Sequence, residues 1–132
     1  ITDKGRRIRR WYTGDWRDEH LYKSTHINHP SSKWVRESSY NYAYLYNLFC
    51  ALCDEFIYRF GKQHATDVKL RKALSLLPTN IPNVDMTPMP QAMENEYKLD
   101  NSLDAYRNYY IYGKSHLAQW TKRDIPDLYV ST

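Results

Sequence analysis

Histidine and long basic side chains gather in residues 24–65, where they could hold an anion or a metal ion. His26 and His29 form an H-x-x-H pair just before Pro30. Zinc requires three or four ligands, and the two cysteines lie deep in an apolar stretch away from this pair. We therefore expect no metal and no cofactor, and we expect the two histidines to cap and hydrogen-bond around the Pro30 turn.

The basic residues at the two ends of this stretch suit phosphate groups. They are Lys33, Arg36, Arg59, Lys62 and His64. Long cationic side chains at helix ends can clamp phosphates. They can equally form ion pairs with Glu37, Asp54 and Glu55, and spacing alone leaves both alternatives open.

Motifs for nucleophilic catalysis are missing from the sequence. It has no Gly-rich phosphate loop and no G-x-S-x-G elbow. A carboxylate half-buried on an aromatic helix can act as a general acid or base. Glu37, Asp54 and Glu55 lie nearest the polar clusters, but a paired structural carboxylate is the commoner outcome. The catalytic residues therefore stay unassigned.

A second candidate site is the segment AYRNYYIYGK, residues 105–114, which places four tyrosines in seven residues beside Arg107 and Lys114. Interleaved rings and cations suit base stacking combined with backbone contact. The alternative is a helix with Tyr106 and Tyr110 in the core and its other tyrosines exposed. The pattern alone slightly favours that structural alternative.

Composition and charge favour a polyanion as partner. The chain has 13 tyrosines, 4 tryptophans and a net charge of +4. Residues 1–23 and 24–77 each carry seven Lys or Arg against four acids, whereas residues 78–105 carry one Lys against five acids. An uneven basic surface is typical of nucleic-acid-binding proteins, although a solvated basic face without a partner is about as common.

The hydrophobic pattern is that of an all-α protein. Apolar residues recur at three- and four-residue steps from Tyr42 to Phe60, which predicts the longest helix, with Gly61 at its end. A shorter helix through Trp34 should precede it, capped by Ser31 or Ser32, with an interruption near residues 38–39.

Further helices are predicted on either side of a proline-rich segment. One should begin at Thr66 or Asp67, and another at residues 100–102. A short helix could follow Gly113. Between them, residues 78–93 contain four of the six prolines, so no helix can cross them.

These elements suggest one helical domain over residues 1–132, a compact bundle with a basic N-terminal arm at residues 1–23 and an extended connection at residues 78–100. Cys50 and Cys53 should be thiols in a reducing cytoplasm. No run of residues reaches membrane-spanning length, and we expect no membrane partner.

Several segments in order resemble a group of uncharacterised phage-type proteins. They are THINHPSSKWVRESSYNYAYLYNLFCALCDEFIYRFGKQHA, LPTNIP, PQAM and AYRNYYIYGK. That group in turn resembles the pyrimidine-dimer DNA glycosylases, through the N-H-P turn before a long helix, the helix end with Glu55, Arg59 and Gly61, and the C-terminal aromatic and basic segment. The resemblance covers residues 21–126. If the protein is phage-encoded, the expected reducing cytoplasm is that of the host cell.

The resemblance to the glycosylases implies a compact helical bundle that breaks the N-glycosidic bond of a damaged pyrimidine and then nicks the backbone. In that family an N-terminal α-amine forms a Schiff base and a glutamate of the first helix assists. It implies that Tyr109, Tyr110, Gly113 and Lys114 touch damaged DNA. The sequence departs from the family at its front end, since the segment with the amine and the glutamate has no match, and Ile1 cannot take the role of nucleophile.

We therefore expect a DNA-acting protein of the glycosylase type. The alternatives are a non-catalytic nucleic-acid-binding module and a phage structural or assembly protein. The residues expected to contact DNA are Arg6, Arg7, Arg9, Arg10, His26, His29, Lys33, Arg36, Arg59, Lys62, His64, Tyr109, Tyr110 and Lys114.

Overall fold

The computed structural model describes residues 11–130, which are helical and contain no β-strand. Five α-helices follow in order: α1 (Pro30–Glu37), α2 (Ser39–Phe60), α3 (Ala65–Leu74), α4 (Ser102–Tyr112) and α5 (Asp127–Val130). Short 3₁₀ turns lie at Trp16–Glu19, Asn95–Tyr97 and Ser115–Leu117. The all-α prediction is confirmed for this part of the chain. The arginines predicted for the basic arm, residues 6–10, lie outside the described residues.

The chain divides into two compact units at the bond between Thr87 and Pro88. Unit 1 contains α1 to α3, and unit 2 contains α4 and α5. The division falls inside the predicted extended connection, where prolines prevent a helix from carrying packing across the boundary.

Helix α1 begins at Pro30, two residues earlier than a cap at Ser31 would allow. Pro30 occupies its first turn, where the missing N–H of proline costs nothing, and the Nδ1 atom of His29 accepts a hydrogen bond from the amide of Ser31 at 3.1 Å. The prediction of Ser31 or Ser32 as the cap is therefore wrong. The interruption near residues 38–39 is confirmed, since Ser38 is extended and its hydroxyl caps α2.

Helices α2 and α3 form an antiparallel hairpin. Gly61 ends α2 in the left-handed conformation that was predicted from its position. His64, not Thr66 or Asp67, caps α3 by accepting a hydrogen bond from the amide of Thr66. Along the hairpin the hydroxyl of Tyr42 donates to the carbonyl of Leu74 at 2.6 Å, and the hydroxyl of Tyr46 donates to that of Arg71 at 2.8 Å.

The proline-rich segment is pinned to α1 and α2 by a buried polar network. The side-chain amide of Asn41 is fully buried; it donates to the carbonyl of Trp34 and to the hydroxyl of Thr87, and its oxygen accepts from the Thr87 amide. The indole N–H of Trp34 donates to the Thr87 carbonyl at 2.9 Å. The hydroxyl of Ser38 donates to the carbonyl of Val84, and the amide of Ser39 to that of Pro82. Each buried polar group here gains a partner, which offsets its desolvation.

In unit 2 the chain from Met89 to Leu99 folds back on α4. Asn101 caps α4, as predicted for residues 100–102. The hydroxyl of Tyr106 donates to the carbonyl of Pro90 at 2.8 Å, and the side-chain amide of Asn108 donates to that of Tyr97 at 3.1 Å. The helix expected after Gly113 is only the 3₁₀ turn Ser115–Leu117, because the chain is already extended at Ala118.

Replacing Asn41 by Ala should lower the free energy of unfolding by about 2–4 kcal/mol, because the buried Trp34 carbonyl and the half-buried Thr87 amide would both lose the partner that Asn41 provides. Urea denaturation followed by circular dichroism measures the change. Asn47 lies on the exposed side of the same helix, so Asn47→Ala is the control and should cost less than about 0.5 kcal/mol. Equal losses in the two variants would refute the structural role of Asn41.

Candidate nucleic-acid interface

The four residues predicted around α1 lie close together, but two of them are engaged in local structure. Besides its role as a cap, His29 contributes the carbonyl that accepts from the Lys33 amide. The guanidinium of Arg36 donates to the carbonyl of Ile27 at 2.8 Å and so holds the turn that precedes the helix. His26 is exposed in a left-handed conformation, with Nδ1 at 2.9 Å from the hydroxyl of Thr25. Lys33 is exposed on α1 and available to a ligand.

The three residues predicted at the junction of α2 and α3 are likewise partly engaged. Arg59 forms an ion pair with Glu55 at 2.9 Å, one helical turn earlier. The ring of His64 caps α3 and stands edge-on to Phe56, with 4.8 Å between centroids. Lys62 is exposed. This end therefore offers a phosphate the exposed Lys62 and the guanidinium of Arg59, which is already paired with Glu55.

The α1 group and the junction group do not form one small-molecule site. Arg36 lies just before α2, whereas Arg59 lies in its last turn. At about 1.5 Å per residue, the 22 residues of α2 separate its two ends by roughly 33 Å. The two groups are therefore separate basic patches, each able to contact a phosphate on its own.

The carboxylates considered for catalysis all have partners. Glu55 is paired with Arg59, and Asp54 lies 2.9 Å from Arg71. Glu37 accepts from the hydroxyl of Thr87 at 3.4 Å. The guanidinium of Arg71 also holds Asp67, whose side chain is fully buried, and this hydrogen bond lowers the pKa of the Asp67 carboxyl. The cluster therefore ties α2 to α3 and has a structural role.

The described part of the N-terminal region lies against α3. The ammonium groups of Lys69 and Lys72 lie 4.1 Å from the ring centroid of Tyr22 and 5.3 Å from that of Trp16. Arg17 is paired with Asp15 at 2.7 Å, which holds the pKa of the Asp15 carboxyl well below its usual range. The predicted contacts Arg6, Arg7, Arg9 and Arg10 lie outside the described residues.

Unit 2 brings the remaining predicted residues, Tyr109, Tyr110 and Lys114, close to Tyr97. We call these four residues the Tyr–Lys cluster. The ring of Tyr109 stands edge-on to that of Tyr97 at 5.2 Å and to that of Tyr110 at 6.0 Å. The Nζ atom of Lys114 lies 5.4 Å from the Tyr109 centroid. Tyr110 was expected in the core as the structural alternative, but 49% of it is exposed, while Tyr109 is half-buried.

Gly113 is needed for the shape of this cluster. A Cβ atom at this position would lie 3.0 Å from the Tyr97 ring and 3.0 Å from the Tyr109 carbonyl. The absent side chain thus lets the Tyr97 ring approach the end of α4 and contact Tyr109.

The electrostatics of the cluster keep Lys114 charged. A hydrogen bond to Tyr109 raises the pKa of the Lys114 ammonium, and the negative charge of Glu94 adds to this effect. Burial and the neighbouring carboxylates of Glu96 and Glu94 raise the pKa of Tyr97, so its hydroxyl stays protonated. The cluster therefore combines tyrosine rings with one ammonium group, and the carboxylates of Glu94 and Glu96 lie beside it.

A second aromatic surface in unit 2 was missed by sequence reasoning. Tyr112, Trp120 and Tyr129 line an open cavity of about 570 Å³ together with Ile111, Ser115, Ala118 and Ile125. The rings of Trp120 and Tyr129 are 5.1 Å apart, and 70% of Tyr112 is exposed. Their sequence signal was weak because Trp120 and Tyr129 lie in an aperiodic segment.

The cysteine and histidine side chains do not gather around a metal position. Residues 11–130 contain no group of three or more His, Cys, Asp or Glu side chains arranged to hold a metal ion. Both cysteines are free thiols; Cys53 is buried, and this burial raises the pKa of its thiol.

Comparison with known proteins gives this chain no relative. No family model, no curated protein and no solved structure matches it. None of the helices in the described part of the chain combines the length and the apolar character needed to cross a bilayer.

Proposed function

We propose that this protein binds DNA, and that it does so at unstacked bases through the Tyr–Lys cluster of unit 2. The observation that carries the proposal is the contact of a charged Lys114 with the ring of Tyr109, next to the half-exposed ring of Tyr110. Bases can stack on the faces of the tyrosine rings, and the ammonium group can donate hydrogen bonds to the neighbouring phosphate.

Stacking, more than charge, supplies the expected affinity. A base on an aromatic side chain contributes about 1–3 kcal/mol. The cluster has only one lysine, and the nearby Arg107 lies 3.7 Å from Asp104, so few phosphates can be neutralised. Bases in a duplex are already stacked on one another. Single strands and distorted sites are therefore the preferred substrates.

The basic patches of unit 1 would add contacts to the phosphate backbone. Lys33 is exposed on α1, which precedes α2, and Lys62 is exposed just after the end of α2. We further propose the compact bundle with a basic N-terminal arm. Its residues Arg6, Arg7, Arg9 and Arg10 would supply further sequence-independent contacts to the phosphate backbone. The free thiols of Cys50 and Cys53 fit the proposed location in a reducing cytoplasm.

Glycosylase and lyase activity remains a hypothesis that rests on the resemblance. A Schiff-base nucleophile must be an unprotonated amine, and the raised pKa of Lys114 disfavours that form. Glu37, Asp54 and Glu55 are engaged with other side chains. The arrangement therefore supports binding better than catalysis.

Replacing Tyr110 by Ala should weaken binding to a single-stranded oligonucleotide by about 1–2 kcal/mol, five- to thirtyfold in Kd, because one stacking face is lost. Lys114→Ala should make the negative slope of log binding constant against log salt concentration less steep by about 0.7, because one phosphate contact is lost. Fluorescence anisotropy with a labelled thymidine oligonucleotide, repeated over a salt series, measures both effects.

Matched controls for these variants lie elsewhere on the chain. Tyr40 is 57% exposed in unit 1, and Lys98 is exposed in unit 2. Tyr40→Ala and Lys98→Ala should leave the affinity within twofold. Equal losses in controls and test variants would refute the Tyr–Lys cluster as the binding site. Failure of the wild-type protein to bind would refute DNA binding and leave the assembly-protein alternative.

Incubation of the protein with ultraviolet-irradiated duplex and borohydride separates binding from catalysis. We expect retention of the irradiated DNA without strand cleavage and without a covalent adduct, because the carboxylates considered for catalysis are engaged in structural contacts. A trapped adduct would establish the lyase reaction, and sequencing of the adduct would identify the amine.

A further inference from the structure

An uncharged groove runs along unit 1 between α2 and α3. Its volume is about 370 Å³, and Val35 of α1 lies at its wall. No residue that lines it carries a charge. The wall is built mainly by Leu45, Leu48, Phe49, Leu52, Leu70 and Leu74.

The leucines of α2 leave much apolar surface in this groove facing solvent. Leu45 is 42% exposed, Leu48 is 45% exposed and Leu52 is 62% exposed. Their spacing of three and four residues places them on one face of the helix, as in the seam of a coiled coil. Leu45, Leu48 and Leu52 line one groove and are not scattered over the surface, which is the arrangement that interaction sites use.

The length of this seam restricts the occupant. A helix that packs along Leu45, Leu48 and Leu52 should present apolar side chains at the same three- and four-residue spacing over two turns. Helix α2, with 22 residues, is twice as long as α4, with 11 residues. The α2 helix of a second copy presents the same three leucines and so matches the seam in length and spacing.

The distribution of charge on α2 selects the orientation of that second copy. Residues 39–53 of α2 are uncharged, while Asp54, Glu55 and Arg59 lie near its C-terminal end. Parallel packing would set each of these charges beside the same charge of the other copy. Antiparallel packing places these charges opposite uncharged residues of the other copy. It also aligns the two helix dipoles in opposite directions, which is the favourable arrangement.

We propose that the groove is the interface of a two-fold symmetric dimer in which the α2 helices of two copies pack antiparallel. The symmetry axis passes between Leu48 and Phe49. Leu45 of one copy then meets Leu52 of the second copy, and each contact occurs twice, as an isologous interface requires. The dimer is independent of the proposed DNA binding, because none of its contacts involves the Tyr–Lys cluster.

Light scattering on a sizing column tests this proposal. The wild-type chain should have twice its monomer mass of 15.9 kDa at micromolar concentration. Leu45→Glu and Leu52→Lys should each be monomeric, because each places a charge in the apolar seam. An equal mixture of these two variants should form a heterodimer, since antiparallel packing brings the new carboxylate beside the new ammonium.

The control substitution is Val68→Glu. Val68 is 68% exposed on α3 and does not line the groove, so this variant should stay dimeric. Circular dichroism checks that each variant is helical. Should the charged variants unfold, Leu48→Ala removes apolar contact without adding charge and should weaken the dimer at least tenfold in sedimentation equilibrium.

Three results would overturn the proposal. A monomeric wild-type chain would exclude a second copy as the occupant. A mixture of Leu45→Glu and Leu52→Lys that stays monomeric, while both variants are folded, would exclude the antiparallel arrangement. Dissociation by Val68→Glu, or an unchanged dimer in Leu48→Ala, would place the interface elsewhere.

Discussion

The fully buried side-chain amide of Asn41 joins three parts of unit 1 that would otherwise have little reason to pack together. It belongs to α2, donates to the carbonyl of Trp34 in α1, and forms two hydrogen bonds with Thr87 inside the proline-rich segment. Leaving these groups unpaired in an apolar environment would cost several kcal/mol. The network therefore fixes the angle between α1 and α2 and the path of the segment at once.

This constraint explains how a chain with a small apolar core keeps a long connection in place. Only Trp34, Cys53, Ala73 and Ala105 are buried apolar residues in the described part of the chain. Connections of this length are uncommon in small domains unless something holds them. Here serine and asparagine side chains hold the connection. Apolar surface remains exposed elsewhere, on the leucines of α2, where we propose that a second copy binds, and on the tyrosines of unit 2, where we propose that bases bind.

The helices were predictable because their signals are local. The apolar spacing from Tyr42 to Phe60 and the glycine at position 61 define α2 without tertiary information. The caps were harder. His29 was expected both to hydrogen-bond around the Pro30 turn and to contact DNA, and His64 was expected only to contact DNA; each accepts a hydrogen bond from the amide two residues later. Histidine is an unusual cap, so its sequence pattern suggests a ligand site at least as readily.

The candidate site was predictable only in part, because side-chain partners depend on tertiary structure. The sequence placed Tyr109, Tyr110 and Lys114 together, and the structure brings their side chains into contact. It could not show that the Arg36 guanidinium is held by the backbone carbonyl of Ile27. Asn41 was missed because a single polar residue beside an apolar stripe looks like part of the solvated face.

Amide hydrogen exchange at Thr87, followed by NMR, tests the central role of Asn41 most directly. If its side chain holds the proline-rich segment, the Thr87 amide should exchange as slowly as amides in the middle of α2, because both open only when unit 1 unfolds. Exchange at the rate of an unstructured peptide would mean that the segment is not held, and would contradict this account of the fold.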